Sequence, residues 1–143
     1  MTLLLDAAPL VALANRRDAL HAAVRDTVAS WAGPLVVPAP VSAEVDYLLG
    51  RRLGRTARLA FLDDVVAGRF EVLGLDPAEH RAVRGLEDRY ASLGLGLADC
   101  ATIVLARRLG TRALLTFDER HFRAVTPLQG GAFTLLPVDR SAA

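Results

Sequence analysis

TLLLDAAPLVAL (residues 2–13) is an apolar run that ends in an acid and then continues as the start of a helix. Three consecutive leucines, Leu3–Leu5, are typical of a short strand that is buried on both faces. Pro9 fits the first turn of the helix predicted to follow, because its ring presets the backbone for that position. The segment therefore predicts a strand and helix in direct succession, with Asp6 at the carboxyl end of the strand.

The same order recurs along the chain. Further apolar runs predict strands at 35–37, 70–73 and 113–116, with a possible fifth at 133–136, and helical patterns separate them. Short apolar strands separated by helices indicate a parallel sheet covered on both faces. We therefore predict an α/β fold of three layers, α/β/α, around a mainly parallel sheet of four or five strands. No repeat or linker divides the sequence, so residues 1–143 are expected to form one domain.

Local residues predict where individual helices begin and end. Asp18, Ser42 and Asp76 are candidate N-caps, because short polar side chains accept hydrogen bonds from the first free amides of a helix. Pro77 supports the cap at Asp76, since proline suits the first helical position. Gly54 is predicted to end the helix that begins near Ser42.

Composition limits the environments in which the chain could work. The single cysteine, Cys100, allows no disulfide framework, which suits a reducing cytoplasm, and it lies in an apolar helix where a core role is expected. No stretch approaches the length of a membrane-spanning helix. An acid interrupts the first apolar run, so we interpret this run as a strand and not as a secretory signal. A cytoplasmic protein without membrane contact is expected.

All basic residues of the chain are arginines. The 17 arginines nearly balance 16 acids, and the net charge of +1 lacks the basic excess of a generic nucleic-acid binder. Much of this arginine bias can reflect genome composition, but arginine also matches the oxygens of a phosphate better than lysine does. If a metal ion neutralised several carboxylates, the remaining surface would be clearly positive.

Four acids stand apart from those with ordinary surface explanations. Asp6 and Asp118 follow apolar strands, and ligands of parallel sheets bind beyond the carboxyl ends of strands. Asp99 lies in an apolar helical segment, where an unpartnered carboxylate is costly, and Glu44 lies one turn into the helix after the second strand. Individually these acids could be helix caps, turn residues or partners of a helix dipole. Jointly they fit a site for Mg²⁺ or Mn²⁺, because clustered carboxylates require a cation and hard oxygen ligands select these ions.

Four segments in the order found here resemble the acidic motifs of PIN-domain ribonucleases, most closely the VapC toxins of bacterial VapBC toxin–antitoxin pairs. These segments are LLDAAPLVAL (4–13), VSAEVDYLL (41–49), LGLADCATIVLARRLG (95–110) and LLTFDERHF (114–122). The resemblance implies that Asp6 and Asp99 are the principal metal ligands and that Glu44 and Asp118 complete the site. It also implies that Thr116 orients the last acidic loop or a water molecule.

One feature departs from the resemblance. Many family members carry a hydroxyl or amide residue shortly after the first Asp, where this chain has Ala7 and Ala8. The missing hydrogen bond puts metal affinity in question and keeps open a non-catalytic PIN-like module that binds RNA or protein. A second alternative is a metal-dependent enzyme acting on small phosphoesters, although the arginines between Arg51 and Arg58 favour a polymer as substrate.

The resemblance implies a metal-dependent endoribonuclease that hydrolyses RNA phosphodiester bonds and leaves 5′-phosphate and 3′-hydroxyl ends. The histidines, His21, His80 and His121, lie outside the acidic positions, so chemistry that needs a histidine pair is disfavoured. RRLGRTAR (51–58) supplies candidate RNA contacts from Arg51, Arg52, Arg55 and Arg58. If its helix were continuous, Arg51, Arg55 and Arg58 would extend the face that carries Glu44, although Gly54 argues against continuity beyond Leu53.

The resemblance also implies partners. A VapB-type antitoxin would fold its tail into a groove between toxin helices and block the acidic site, and homodimers are usual for the family. Eight apolar residues are candidates for that groove, although each is also a candidate for ordinary core: Val11, Leu13, Leu20, Val24, Leu48, Leu49, Leu59 and Phe61.

Overall fold

A five-stranded parallel sheet forms the centre of the computed structural model, which describes residues 1–140. The strand order is β3-β2-β1-β4-β5, and every neighbouring pair is parallel. The strands are β1 (Leu3–Leu5), β2 (Leu35–Pro38), β3 (Glu71–Leu73), β4 (Ala113–Leu115) and β5 (Thr134–Leu136). The predicted parallel sheet is confirmed, and the possible fifth strand lies at its edge beside β4.

Helices cover both faces of this sheet. They are α1 (Ala7–Ala14), α2 (His21–Ser30), α3 (Ala39–Arg52), α4 (Arg55–Val66), α5 (Pro77–Arg89), α6 (Gly96–Leu109) and α7 (Glu119–Ala124). A short 3-10 turn, Ala91–Leu93, joins α5 to α6. No helix among residues 1–140 is both long and apolar enough to cross a membrane.

The leucine run of β1 connects two separate hydrophobic cores. Leu3 and Leu5 pack with residues of α1 to α4 on one face of the sheet, whereas Leu4 packs with residues of α5 to α7 on the other. Side chains of a strand alternate between its two faces, so a strand buried on both faces needs apolar residues throughout. The predicted three-layer α/β/α arrangement follows directly from this alternation.

Two of the four predicted helix boundaries are confirmed. Asp76 caps α5 by accepting a hydrogen bond from the Glu79 amide at 2.7 Å, and the Glu79 side chain accepts one from the Asp76 amide at 3.1 Å. This reciprocal arrangement satisfies two amides that the helix itself leaves free. Gly54 separates α3 from α4 with a φ of 95°, a conformation that side chains disfavour.

The other two predicted caps are wrong. Ser42 lies inside α3, which begins at Ala39, and its hydroxyl donates to the Ala39 carbonyl at 2.7 Å. Pro40 sits in the first turn of α3, where the missing amide costs no hydrogen bond, so the helix starts earlier than the serine suggested. Asp18 forms a turn before α2, accepting from the Leu20 amide at 2.8 Å.

Several predicted groove residues belong to the core instead. Four of them are at most 8% exposed and pack between the sheet and helices α1 to α4: Val11, Val24, Leu49 and Phe61. Leu13, Leu48 and Leu59 are half-buried, and Leu20 is exposed. Only this second set is accessible to a partner.

Candidate metal centre

An open cleft of about 640 Å³ lies at the edge of the sheet where the strands end. Parallel strands place their carboxyl ends on one side, so the residues that follow β1 and β4 meet there. The four predicted acids all line this cleft: Asp6, Glu44, Asp99 and Asp118. The structure thus brings together acids that are separated by up to 112 positions in the sequence, since the first is residue 6 and the last is residue 118.

Asp6 is held in place by both the backbone and a side chain. Its amide donates to the Leu115 carbonyl at 2.9 Å, which extends the pairing of β1 with β4 by one residue. Its Oδ1 accepts a hydrogen bond from the Ala7 amide at 2.8 Å, so Asp6 is also the N-cap of α1. Asp6 therefore both caps α1 and lines the acidic cleft.

Thr116 connects the acids that follow the two central strands. Its hydroxyl donates to Asp6 Oδ2 at 2.7 Å and accepts from the Asp118 amide at 3.0 Å. Thr116 is only 2% exposed, so neither bond competes freely with water. The hydroxyl orients Asp6 directly and positions the backbone of Asp118. The alanines Ala7 and Ala8 have no hydroxyl that could do this.

His121 is a member of the acidic cluster that the sequence interpretation missed. Its Nδ1 lies 2.7 Å from Asp99 Oδ2 and 2.9 Å from Asp118 Oδ2. Its amide donates to Asp118 Oδ1 at 2.9 Å, which fixes the start of α7. Potential ligand atoms of Asp99, Asp118 and His121 lie within 4.8 Å of one another. The spacing of three residues between Asp118 and His121 was the available signal, because residues one helical turn apart share a face.

Two acids of the cleft, Asp99 and Glu44, have a raised pKa. The pKa of Asp99 is raised to about 6, mainly by burial and further by the negative charges of Asp6 and Asp118, while His121 opposes the shift. The pKa of Glu44 is also raised, first by partial burial and then by the charge of Asp6. Burial is the larger cause of both shifts, and the charge of Asp6 contributes to each of them.

The donor set fits a hard divalent cation. Within residues 1–140 the arginine ion pairs involve other acids, and two of the four acids of the cleft, Asp99 and Asp118, contact His121. Carboxylate oxygens are the preferred ligands of Mg²⁺ and Mn²⁺. Crowded carboxylates without an arginine partner are what such an ion would stabilise.

The predicted arginine stripe is only partly present. Arg51 and Arg52 occupy the exposed last turn of α3, the helix that carries Glu44. Arg55 begins the separate helix α4, so the break that Gly54 indicated beyond Leu53 is confirmed. Arg58 pairs with Asp46 at 2.8 Å and is therefore already engaged.

A family model described as the PIN domain matches residues 3–126, which include all four acids of the cleft. The chain belongs to the PIN-domain family. Over 135 residues this PIN domain is 38% identical to Ribonuclease VapC26 of Mycobacterium tuberculosis, an alignment that covers 94% of the chain and 100% of that protein. The predicted membership among VapC-type PIN-domain proteins is thereby confirmed.

Solved structures confirm the PIN fold. The crystal structure of Mycobacterium tuberculosis VapC20, described as a Sarcin-Ricin loop cleaving toxin, matches with a TM-score of 0.78 and 21% identity over 85% of this chain and 94% of that one. The crystal structure of VapBC2 from Rickettsia felis, bound to a DNA fragment from its promoter, matches with a TM-score of 0.64 and 16% identity. That second match covers 87% of this PIN domain and 93% of the other chain.

Proposed function

We propose that this PIN domain is an endoribonuclease that depends on Mg²⁺ or Mn²⁺ and acts as the toxin of a type II toxin–antitoxin pair. The observation that carries the proposal is the cleft in which Asp6, Glu44, Asp99 and Asp118 converge at the ends of parallel strands. The relative with 38% identity is named a ribonuclease, which supports RNA as the substrate. A toxin that cleaves cellular RNA would work in the cytoplasm.

Each acidic residue has a distinct part in the proposed site. Asp6 and Asp99 are the principal ligands. Thr116 holds the Asp6 carboxylate in place, and Asp99 is largely buried and close enough to feel the charge of Asp6. Asp118 and the more exposed Glu44 complete the site directly or through water. When bound, the cation would supply positive charge to the scissile phosphate and activate water for attack.

The proposed reaction releases the 3′-oxygen and leaves a 5′-phosphate on the other product. Chemistry through a histidine pair is disfavoured by the structure. The Nδ1 atom of His21 lies 3.0 Å from the Ala12 carbonyl, and that of His80 lies 2.9 Å from the Asp76 carbonyl. Neither histidine lines the cleft. Attack on the phosphate therefore depends on the acidic cleft and not on a proton-transfer pair.

Cleavage of RNA by the purified chain tests this function. We expect activity with Mg²⁺ or Mn²⁺, loss of activity in EDTA, and recovery when Mn²⁺ is added in excess. Sequencing of the cleaved ends should find 5′-phosphates and 3′-hydroxyls. Undiminished cleavage in EDTA, or 2′,3′-cyclic phosphate ends, would contradict the metal mechanism. Stabilisation by Mn²⁺ without any cleavage of total RNA would favour the non-catalytic module instead.

Arg51 is the arginine best placed to contact RNA in this proposal. It lies seven residues after Glu44 on α3, about two helical turns, and therefore on nearly the same face. We expect Arg51→Ala to weaken RNA binding. The slope of log K against log salt should become shallower by about 0.9, the contribution of one phosphate contact. Arg52 and Arg55 are proposed as weaker contributors.

Arg16→Ala is the matched control for Arg51, because Arg16 is exposed and follows the end of α1 remote from Asp6. Fluorescence anisotropy of labelled RNA at several salt concentrations, in Ca²⁺ to suppress cleavage, gives both slopes. An unchanged slope for Arg51→Ala would remove that residue from the interface. Equal losses in both variants would indicate general charge and not a defined contact.

A VapB-type antitoxin and a second copy of the chain are the proposed partners. VapBC2 of Rickettsia felis has a similar fold and a name that joins VapB to VapC, which supports an antitoxin for a chain of this family. Partly accessible apolar residues near the helices could receive its tail: Leu13, Leu20, Leu48 and Leu59. Co-purification with the cognate antitoxin should abolish cleavage, and sedimentation of the chain alone should reveal a homodimer.

A further inference from the structure

We infer that His121 supplies a nitrogen ligand to the cation, so that the centre is a mixed nitrogen and oxygen site that favours Mn²⁺ over Mg²⁺. This inference rests on the proposed function, because it concerns the same cation in the same cleft. His121 would join the four acids as a ligand, and the site would bind Mn²⁺ more tightly than Mg²⁺.

The geometry of His121 matches that of a ligand. Its Nδ1 faces two carboxylate oxygens at 2.7 Å and 2.9 Å. Two ligands at right angles around an ion, each about 2.1 Å from it, lie about 3 Å apart. Both distances from Nδ1 are therefore close to the spacing of neighbouring ligands around one ion, and potential ligand atoms of all three residues lie within 4.8 Å of one another.

The surroundings of His121 hold its ring in this orientation. The side chain is only 16% exposed, and its backbone amide is bonded to Asp118 Oδ1. Phe122, the next residue, is buried in the core against Phe133 and anchors α7. By contrast, the Nδ1 atoms of His21 and His80 point at backbone carbonyls, as expected of histidines with a structural role.

A nitrogen ligand changes which ion the cleft prefers. Mg²⁺ takes oxygen ligands almost exclusively and releases its waters reluctantly, whereas imidazole suits transition metals. Mn²⁺ is a transition-metal ion that is softer than Mg²⁺, and it accepts both carboxylate and imidazole ligands. Loss of the imidazole should therefore weaken Mn²⁺ much more than Mg²⁺, while loss of a carboxylate should weaken both.

Pulsed electron paramagnetic resonance of the Mn²⁺-loaded full chain, without RNA, tests the inference directly. We expect modulation from a coordinated imidazole ¹⁴N that changes to the ¹⁵N pattern when only histidine is labelled. This measurement uses the native chain, so it does not depend on whether a variant folds. Manganese bound without nitrogen modulation would overturn the inference and leave the proposed function standing.

Calorimetric titration of His121→Asn, with His80→Asn as the control, gives the selectivity. We expect Mn²⁺ affinity to fall by about tenfold or more in His121→Asn and Mg²⁺ affinity to change by less than about threefold. The control should match the native chain. Equal losses for both ions would reduce His121 to a structural role. If the native chain binds neither ion, the proposed function itself fails.

Discussion

Asp99→Asn is expected to lower the kcat of RNA cleavage by about 100-fold or more. The side chain of Asp99 is only 15% exposed, and its replacement removes a charged ligand while keeping the shape of the side chain. Loss of a residue that only hydrogen-bonds to a metal ligand lowers metal affinity or activity by about 10- to 100-fold. Loss of the ligand itself should therefore have a larger effect. Single-turnover cleavage at saturating Mn²⁺ measures the effect.

Asp63→Asn is the control for this substitution, because Asp63 is exposed on α4 and lies outside the cleft. It should retain native activity. Cleavage by Asp99→Asn within threefold of the native rate would remove Asp99 from the proposed mechanism. Circular dichroism of both variants verifies that the fold is unchanged.

The same substitution should stabilise the metal-free protein at neutral pH. The folded pKa of Asp99 is raised from 3.8 to about 6, so the folded chain binds more protons than the unfolded chain between these values. Stability conferred by the protonated group is present below pH 4 and is lost as the pH rises through 6. Because the side chain is mostly buried, the loss is on the order of 2 kcal/mol at pH 7.5.

Denaturant unfolding in EDTA at several pH values isolates this contribution. The free energy of unfolding of Asp99→Asn should exceed that of the native chain at pH 7.5 and approach it near pH 4. Added Mn²⁺ should reverse the order at pH 7.5, because only the native chain keeps the ligand. Equal stabilities across the whole pH range would show that negative charge is not crowded at Asp99.

Thr116→Val is expected to produce the second large effect, a fall of about 10- to 100-fold in metal affinity or kcat. Valine has nearly the same shape as threonine, but it removes the hydrogen bonds to Asp6 Oδ2 and from the Asp118 amide. Both groups would then lack their partner within a buried setting, and two of the proposed ligands would lose their orientation.

Thr116→Ser separates this role from packing, because serine keeps the hydroxyl and removes only a methyl group. It should retain most of the activity and metal affinity of the native chain. Isothermal titration with Mn²⁺ and initial cleavage rates measure both quantities. If Thr116→Val retained native activity and Thr116→Ser did not, the methyl group of Thr116 would matter and its hydroxyl would not.

The layered fold was predictable because its signal lies in the chain itself. The run Leu3–Leu5 requires apolar surroundings on both faces, and only a sheet between two helical layers provides them. The convergence of Asp6 and Asp118 follows from the same rule, since parallel strands end on one side. The sequence alone therefore indicates the position of the cleft.

Features that depend on exact packing were not predictable in the same way. Ser42 carried a cap signal, but the prolines before it moved the start of α3 to Ala39. Apolar residues such as Val24 and Leu49 gave no sign of whether they faced a core or a groove. His121 was overlooked because its partner Asp99 is distant in sequence and meets it only through the packing of α6 against α7.

Anomalous diffraction from crystals of the full chain soaked in Mn²⁺ tests the central claim most directly. We predict one strong peak, or two adjacent peaks, in the cleft within direct ligand distance of the carboxylates of Asp6 and Asp99. A crystal with manganese bound elsewhere on the surface and none between these side chains would contradict it.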